Sequence, residues 1–379
     1  MKYINRAIFD QFKKKVLPNK VLFIIGARRV GKTELLKKYM ASIPTKDYVF
    51  LRGDDYNDAQ LLRERSVRNY KQLMGNRKTL IIDEAQEIPE IGKKLKLIVD
   101  ALPNVKVIIT GSSAFTLSGD VGEPLVGRKN TLFLFPLAQM EFSQEESHQE
   151  TVNHLKNRLI YGAYPELEQY EQFIDKTTYL KEILNTYLLK DILAFEGIKK
   201  AEKILDLLRL IAFQVGNEVS MQELGKQLGI AKSTAERYLD LLSKVFVIFK
   251  LKGFSRNLRK EVTKNSKWYF YDNGIRNIII NNMNPISLRN DVGALWENYL
   301  ASERIKFQNY NRMLVSNYFW RTYDQQEIDW IEDRDGLLHA YEFKWNSKRK
   351  PKVPVAWKKA YESATFKIIN QDNYLDWIG

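Results

Sequence analysis

Residues 26–33 read Gly26-Ala27-Arg28-Arg29-Val30-Gly31-Lys32-Thr33. This octet fits the pattern G-x-x-x-x-G-K-[ST], follows the apolar run Val21–Ile25 and opens the helical pattern Glu34–Met40. Glycines let a loop wrap closely around phosphates, so that backbone N–H groups and the N-terminus of the helix face the anion. The octet therefore predicts a phosphate-binding loop between a strand and a helix.

The residues of this loop have separate expected roles at a nucleotide. Lys32 is expected to hold the β and γ phosphates as a catalytic cation, and Thr33 is expected to ligate Mg²⁺. The candidates for nucleotide contact continue into the first helical turn: Gly26, Ala27, Arg28, Arg29, Val30, Gly31, Lys32, Thr33 and Glu34. The competing interpretation is a glycine-rich turn that binds no ligand.

A second run, Thr79-Leu80-Ile81-Ile82-Asp83-Glu84, ends an apolar strand in two carboxylates. An acid pair at the end of a buried strand is costly without a cation. We expect Asp83 to serve the metal from its outer sphere and Glu84 to act as a general base on a water near the γ phosphate. This arrangement favours hydrolysis over binding alone, and the alternative is a plain pair of helix N-caps.

Two further stretches leave their roles open. Thr110-Gly111-Ser112-Ser113 ends another predicted strand, and its hydroxyls could sense the γ phosphate or cap the next helix. Arg128 precedes the last predicted strand, where an arginine could stabilise transferred charge, including that of a neighbouring subunit. A solvated or structural Arg128 fits the same position equally well.

Short β-branched runs alternate with helical patterns up to about residue 140: Val21–Ile25, Tyr48–Leu51, Leu80–Ile82, Val105–Thr110 and Thr131–Phe135. This alternation predicts an α/β domain with a parallel sheet covered on both faces. Helical periodicity then runs from Thr151 to Gln214, and strands return from Trp268 onward around one helical pattern, Leu295–Ile305. The predicted boundaries are 1–145 for the α/β core, 146–215 for a helical lid-like segment, 216–280 for a third unit and 281–379 for an α+β domain.

The third unit, from Val219 to Leu239, indicates two helices about a glycine turn. Ser220 and Glu223 fit a capping box at its start. The second helix would present polar residues outward: Lys232, Ser233, Thr234, Glu236 and Arg237. Two strands, Val245–Leu251 and Trp268–Tyr271, would bracket a basic stretch that contains Arg256, Arg259 and Lys260. The pattern predicts a winged helix, which either contacts DNA or serves as a lid or interaction domain.

A carboxylate and lysine set is predicted near the C-terminus. Glu342 and Lys344 are two residues apart on one predicted strand, so both face the same side. Asp329, on the preceding strand, faces that side if the hairpin is in register. Asp329, Glu342 and Glu297 are therefore candidate Mg²⁺ ligands, and Glu342 and Lys344 are candidate catalytic residues for attack on a phosphodiester. A solvated strand face gives the same pattern.

Composition excludes several classes of site. The 379 residues hold no cysteine and three histidines, which removes disulfides, thiolate metal sites and cysteine nucleophiles, and suits a reducing cytoplasm. No apolar run approaches a membrane span, so no membrane association is expected. The net charge is +14, with eight basic residues between Lys244 and Lys267 and seven between Lys344 and Lys359. Focused positive charge favours an anionic partner such as DNA, and solvated surface lysines are the alternative.

The motifs GARRVGKT, LIIDEAQ, ITGSS, LVGRKNTLFLFPLAQMEF and YGAYPE together resemble prokaryotic AAA-type ATPases that carry a C-terminal domain of unknown function with a restriction-endonuclease-like core. The resemblance covers nearly the whole chain and implies an AAA-like P-loop NTPase fold with ATP and Mg²⁺ as ligands. It also implies that Pro165 approaches the nucleotide base, although Ala163 replaces a glycine often found there.

The C-terminal order also resembles the PD-(D/E)XK nuclease core: a helix, a strand, Asp329 followed after twelve residues by Glu342-Phe343-Lys344, a helix and a strand. Ile328 replaces the proline of that motif. The expectation is a Mg²⁺-dependent ATPase, possible as a homo-oligomer, that couples its nucleotide state to DNA through a nuclease-like domain. The alternative is a nucleotide-controlled switch whose C-terminal domain binds a partner without cleaving DNA.

Overall fold

The computed structural model describes residues 3–112, 124–188, 201–255, 265–349 and 351–379. The chain divides into two compact units. The first, here called the N-terminal unit, comprises residues 5–136 with 244–246. The second, the C-terminal unit, comprises residues 137–243 and 247–379 together with the start of the chain up to Ile4.

The N-terminal unit is built on a five-stranded sheet in the order β2-β3-β4-β1-β5, and every pair in it is parallel. Its strands are β1 Lys20–Gly26, β2 Tyr48–Arg52, β3 Thr79–Asp83, β4 Lys106–Ser112 and β5 Lys129–Phe133. Its helices are α1 Phe9–Lys15, α2 Lys32–Met40, α3 Tyr56–Leu61, α4 Val67–Met74 and α5 Ile91–Ala101, with short 3₁₀ turns at Thr45–Asp47 and Ala85–Glu87. The predicted parallel α/β sheet is confirmed.

The strand order sets the position of the first site. Strands β1, β3 and β4 consist mainly of buried apolar residues, as expected for parallel strands covered on both faces. Because β4 lies between β1 and β3, the carboxyl ends of these three strands meet at one edge of the sheet. A Cβ on Gly26 at the end of β1 would lie 2.1 Å from the Leu134 carbonyl oxygen, so the chain needs glycine there.

The C-terminal unit combines helices with a seven-stranded sheet in the order β12-β11-β10-β9-β7-β8-β6. Its helices are α6 Gln139–Phe142, α7 His148–Tyr161, α8 Phe173–Glu182, α9 Ala201–Phe213, α10 Met221–Leu228, α11 Lys232–Lys244, α12 Asn273–Ile279, α13 Val292–Tyr310, α14 Val355–Ala360 and α15 Leu375–Ile378. Its strands are β6 Glu218–Val219, β7 Ile248–Gly253, β8 Ser266–Phe270, β9 Ser316–Arg321, β10 Glu327–Arg334, β11 Leu337–Phe343 and β12 Thr365–Ile369. Shorter turns complete it: 3₁₀ helices at Pro165–Gln169 and Ile286–Leu288 and a π-helix at Ile183–Leu188.

Two sub-patterns are joined in this sheet. Strand β8 pairs antiparallel with both β6 and β7, and helices α10 and α11 meet at Gly229, which has a φ of 63°. Strands β9, β10 and β11 form an antiparallel meander, and β12 adds parallel to β11. The parallel pairing of β7 with β9, at Lys252 with Tyr318 and Gly253 with Phe319, makes one continuous sheet of the two. The basic residues predicted between β7 and β8, Arg256, Arg259 and Lys260, lie outside the described residues.

An apolar core packs α14 on the meander. Ile328, Ile331 and Ala340 contribute from the strands and Trp357 from the helix, and all four are buried. The hairpin register pairs Trp330 with Tyr341, and Asp329 and Glu342 each lie one residue beyond that pair on their strands. Asp335 and Gly336 turn the hairpin with φ values of 54° and 75°. The register condition on which the convergence of Asp329 and Glu342 depended is therefore met.

The segment Gly162-Ala163 is tied to the start of α12. The Ala163 N–H donates to Asp272 Oδ2 at 2.7 Å, and the side chain of Asn277 donates to the carbonyl oxygens of Leu159 and Ile160. Gly162 has a φ of 76°, and a Cβ there would lie 2.0 Å from the Asp272 carboxylate. Gly162 and Ala163 of the YGAYPE motif therefore have a structural role within the C-terminal unit, since they pack against Asp272.

We predict that Gly162→Ala destabilises the protein by about 2–4 kcal/mol, because it adds a steric clash to the strain of a positive φ. Gly229→Ala is the matched control, since Gly229 has a φ of 63° with nothing within 4 Å of the added Cβ, and about 1 kcal/mol is expected. Thermal unfolding followed by circular dichroism measures both. Equal melting temperatures for the two variants would contradict the assignment.

Candidate functional site

The phosphate-loop segment begins at the end of β1 and closes at the first turn of α2. Arg29 and Gly31 have φ values of 63° and 96°, and the helix begins at Lys32. The Lys32 side chain is buried and turns back on the loop, where its Nζ donates to the carbonyl oxygens of Gly26 at 3.2 Å and Ala27 at 3.0 Å. The ammonium is thereby held inside the loop where the phosphates are predicted to bind.

Arg6 supports this loop and was missed by sequence reasoning. Its guanidinium is buried and donates to the carbonyl oxygens of Val30 at 2.6 Å and Phe135 at 2.7 Å. A charged donor to a buried carbonyl is among the stronger hydrogen bonds in proteins. No local motif surrounds Arg6, because its partners lie 24 and 129 residues away in the sequence.

Asp83 links the ends of three elements at the same edge of the sheet. Thr33 Oγ1 donates to Asp83 Oδ2 at 2.7 Å, and Thr110 Oγ1 donates to Asp83 Oδ1 at 2.5 Å. The Glu84 N–H donates in turn to Thr110 Oγ1 at 2.9 Å. The structure therefore brings together Thr33 and Asp83, the two residues predicted to serve Mg²⁺. Hydroxyl and carboxylate oxygens are the donors that this ion prefers, so the residues fit it.

Glu84 follows the strand in a left-handed conformation with a φ of 50°. Its Oε2 accepts from the side-chain amide of Gln86 at 2.5 Å, and Gln86 Oε1 accepts from the Ser112 N–H at 3.2 Å. Gln86 therefore orients the predicted base, a role that sequence reasoning missed although Gln86 stands within LIIDEAQ. The Thr110 hydroxyl donates to Asp83 and accepts from the Glu84 N–H. Ser113 lies outside the described residues.

Two other predicted residues of this unit, Arg128 and Glu34, pair with residues outside the series Thr33, Asp83 and Glu84. Arg128 precedes β5, where its carbonyl accepts from Val21 at the start of β1, and its guanidinium pairs with Asp100 at 2.6 Å. That is the opposite edge, about 17 Å along β1 from Gly26 at about 3.3 Å per residue. Glu34 pairs with Lys37 at 2.7 Å on the half-exposed face of α2. Pro165 begins a 3₁₀ helix of the C-terminal unit. Nucleotide roles for Arg128, Glu34 and Pro165 stay predictions.

The second site is a cluster of carboxyl groups in the C-terminal unit, of which Asp329 is buried and the others are partly buried. It comprises Glu297 on α13, Glu327 and Asp329 on β10, and Glu342 on β11, and it is called the carboxylate cluster below. Asp329 Oδ2 accepts from the Phe343 N–H at 2.8 Å. Lys344 Nζ donates to Glu342 Oε1 at 2.6 Å. Asp329, Glu342, Lys344 and Glu297, predicted from distant stretches of sequence, therefore share one electrostatic environment.

Lys267 enters this cluster from β8, which sequence reasoning did not foresee. Its side chain is 1% exposed, and its Nζ lies 2.5 Å from Glu327 Oε1 and 3.4 Å from Glu297 Oε1. Tyr269, two residues along the strand, donates from its hydroxyl to Glu297 Oε1 at 2.7 Å. The sequence had grouped Lys267 with surface basic residues that favour an anionic partner. That grouping is wrong for Lys267, because it is buried among acids.

Burial controls the protonation of the cluster. It raises the pKa of Glu297 to about 7, against the opposing effect of Lys267. Burial, together with the nearby Asp329 carboxyl, raises the pKa of Glu342 to about 7. The pKa of Asp329 is also raised by burial, although Lys267 and Lys344 oppose the shift. The pKa of Lys267 is raised by Glu297 and the neighbouring acids in spite of burial, so Lys267 stays charged.

The predicted Mg²⁺ site of Asp329, Glu342 and Glu297 requires a correction. Within the described ranges, no group of three or more Asp, Glu or His side chains is placed so that it could hold a metal ion. The carboxyl oxygens instead accept hydrogen bonds from Lys267, Tyr269, Lys344 and the Phe343 amide. The residues as arranged therefore do not fit a divalent cation, because an ammonium already supplies the positive charge.

Three segments of the chain match sequence families. Residues 18–143 match the family described as AAA domain. Residues 152–285 and 292–373 match two families described as domains of unknown function, DUF8612 and DUF4143. The parallel sheet and the phosphate-loop segment lie within the first match, so this part of the chain is similar to AAA domains. In the described residues, no helix is both long and apolar enough to cross a membrane.

Relatives resemble the chain over most of its length. An uncharacterized protein from Methanocaldococcus jannaschii is 24% identical over 98% of this chain and 83% of its own length. An uncharacterized protein from Mycobacterium tuberculosis is 26% identical over 86% of this chain and 70% of its own. Among solved structures, AMPPCP-bound DnaA from Aquifex aeolicus aligns with a TM-score of 0.30 and 17% identity, over 64% of this chain and 89% of that one. At this TM-score the likeness supports no inference about the chain.

We predict that Glu342→Gln stabilises the protein more at pH 8 than at pH 5. The pKa of Glu342 is about 7 in the folded chain and 4.5 for an unperturbed glutamate, so the folded chain binds more protons between these values. The contribution of Glu342 to stability therefore falls as pH rises through that window. Glutamine removes the cost of ionisation above pH 7. The difference in melting temperature between variant and parent should increase by about 3 °C or more from pH 5 to pH 8.

The control for this prediction is Glu332→Gln, at a buried acid in the same unit. Burial opposes ionisation of Glu332, but hydrogen bonds from Arg304 outweigh it and hold the pKa of Glu332 below its usual range. Its carboxylate therefore stabilises the fold above about pH 4.5, and the variant should melt lower at both pH values. A Glu342→Gln curve parallel to that of the parent would show that Glu342 does not titrate in this window.

Proposed function

We propose that the N-terminal unit hydrolyses ATP with Mg²⁺. The observation that supports this most directly is the hydrogen-bonded series Thr33, Asp83, Thr110 and Glu84, which lies at the same sheet edge as the Lys32 loop. A bare phosphate-binding loop needs no second carboxylate. Glu84 beyond the metal-serving Asp83 supplies a group that can accept a proton from an attacking water.

The residues divide the work as follows. The loop amides and the N-terminus of α2 bind the phosphates, and Lys32 exchanges the carbonyls of Gly26 and Ala27 for phosphate oxygens. Thr33 and Asp83 would hold Mg²⁺, which neutralises charge that develops on the phosphates when it is bound. Glu84, oriented by Gln86, accepts the proton of the water. Arg6 keeps the loop backbone in its binding conformation through the Val30 carbonyl.

We predict that Lys32→Ala abolishes ATP binding, and that Glu84→Gln binds ATP but turns it over at least 100-fold more slowly, because a general base contributes about that much. Calorimetry measures binding, and phosphate release measures turnover. Lys93→Ala and Glu87→Gln are the controls, since both residues are exposed in the same unit. Parent-like hydrolysis in both Lys32→Ala and Glu84→Gln would remove this site from the reaction.

We further propose that the C-terminal unit acts on DNA. The order β6, α10, α11, β7, β8, with β8 between the other two strands, supports the proposal of a winged helix. Helix α11 exposes Lys232, Ser233, Glu236 and Arg237, as its sequence predicted, whereas Thr234, predicted with them, is half-buried. The order α13, β9, β10, β11, α14, β12 supports the resemblance to a PD-(D/E)XK core. We infer that ATP state is coupled to DNA binding or processing, and that the lack of cysteine suits a reducing cytoplasm.

The competing proposal is a nucleotide-controlled switch that binds a partner without cutting DNA. The buried pairing of Lys267 within the carboxylate cluster favours a resting state that does not cleave. Assembly into a homo-oligomer is compatible with either proposal. Arg128 lies far from Gly26 in its own chain. In a homo-oligomer it could instead act on the nucleotide of a neighbouring subunit.

We predict that the double variant Lys232→Ala and Arg237→Ala binds duplex DNA at least tenfold more weakly than the parent. Loss of two phosphate contacts should also reduce the slope of log affinity against log salt by about 2. The control is Lys203→Ala with Arg209→Ala, which removes two cations from α9. Fluorescence anisotropy at several salt concentrations measures both. A parent protein that binds no DNA with or without ATP would favour the switch.

A further inference from the structure

Lys267 is the centre of charge compensation in the carboxylate cluster. Its ammonium lies 2.5 Å from Glu327 Oε1 and 3.4 Å from Glu297 Oε1, with 1% of the side chain exposed. A buried lysine is rare unless it is paired, because removing an ammonium from water costs several kcal/mol. The attraction between the Lys267 ammonium and the nearby carboxylates offsets that cost, so the burial of the lysine depends on the acids.

The segments on either side of helices α10 and α11 close over the cluster. Strand β8 directs both Lys267 and Tyr269 toward Glu297, since residues two apart share a face. Gly216, two residues before β6, adopts a φ of 80°, and a Cβ there would lie 2.9 Å from the Glu297 carboxylate. Arg321 on β9 lies 3.5 Å from Glu218 and 3.8 Å from Glu327, and so joins the rim of the cluster to β6.

We propose that the Lys267 ammonium takes the place of a divalent cation in the carboxylate cluster and keeps that cluster free of metal. Glu297, Glu327, Asp329 and Glu342 bring four acidic groups together, and Lys267 and Lys344 bring two bases. Carboxylate oxygens are the ligands that Mg²⁺ and Mn²⁺ prefer. Without the ammonium, we expect these side chains to close around a divalent cation, which their present placement does not hold. This inference concerns the C-terminal unit alone, and it stands whether or not the N-terminal unit hydrolyses ATP.

The side chain of Lys267 has a length that suits this role. It starts on β8, three places from β10 in the sheet order, and its Nζ reaches Glu327 Oε1 at 2.5 Å. Methionine matches the first part of that chain without its charge. Lys267→Met therefore removes the ammonium while it keeps much of the packing beneath the Phe319 ring, whose centroid lies 5.4 Å from Nζ.

The experiment measures Mn²⁺ binding by calorimetry and by electron paramagnetic resonance on nucleotide-free protein. Lys32→Ala serves as the parent, so that the phosphate loop contributes no nucleotide-dependent metal binding. Adding Lys267→Met should create one Mn²⁺ site at least tenfold tighter than any in the parent. Adding Glu297→Gln as well should weaken it at least tenfold. The matched control is Lys306→Met, at a lysine that is also 1% exposed and pairs with Glu303 at 2.7 Å outside the cluster.

Two results would overturn the inference. The first is a folded Lys267→Met protein that binds Mn²⁺ no better than its parent or the Lys306→Met control. The second result concerns variants that fail to fold. Lys267→Met and Lys267→Gln are both purified, and their thermal unfolding is measured with and without Mn²⁺. If neither folds even with Mn²⁺ present, a divalent cation cannot replace the ammonium. A rise in melting temperature on addition of Mn²⁺, absent from the parent, supports the inference independently of calorimetry. Neither readout requires DNA cleavage or ATP turnover.

Discussion

A carboxylate that is removed from water must find hydrogen-bond donors or a cation, and this requirement organises the chemistry of both units. In the N-terminal unit Asp83 is satisfied by the hydroxyls of Thr33 and Thr110. In the C-terminal unit Glu297 and Glu327 are satisfied by the ammonium of Lys267. The difference has consequences, because neutral hydroxyls can share a carboxylate with an arriving metal ion, whereas a buried ammonium competes with it.

The continuous sheet of the C-terminal unit connects the strands beside helices α10 and α11 to this buried charge. The two residue pairs between β7 and β9 join the strands that flank α11 to the meander that carries Asp329. Lys267 lies on β8, at the centre of the smaller strand group. A displacement of β8 would therefore move the cation of the carboxylate cluster. Strand β8, in the same sheet as the strands that flank α11, therefore also carries the lysine that compensates the charge of the carboxylate cluster.

Several features could be predicted from short stretches of sequence. The octet from Gly26 to Thr33 and the acids after β3 lie next to the elements that position them, so local pattern indicates both the fold and the site. The convergence of Asp329 and Glu342 also follows from alternation along two strands and a tight turn. The lack of a metal-ligand arrangement there did not follow, because a lysine 62 residues before Asp329 supplies the compensating charge.

The sequence by itself determined the α/β class of the N-terminal unit and the strand–loop–helix order around Gly26–Thr33, since these depend on neighbours within a strand or turn. The hydrogen bond from Thr33 to Asp83 joins residues 50 positions apart and needed the tertiary structure. Only the tertiary structure decided that Arg6 supports the loop and that Lys267 enters the carboxylate cluster. Each of these side chains is a buried cation whose partners lie far along the chain. A cation in the sequence looks like a surface residue until the fold shows which acids or carbonyls surround it.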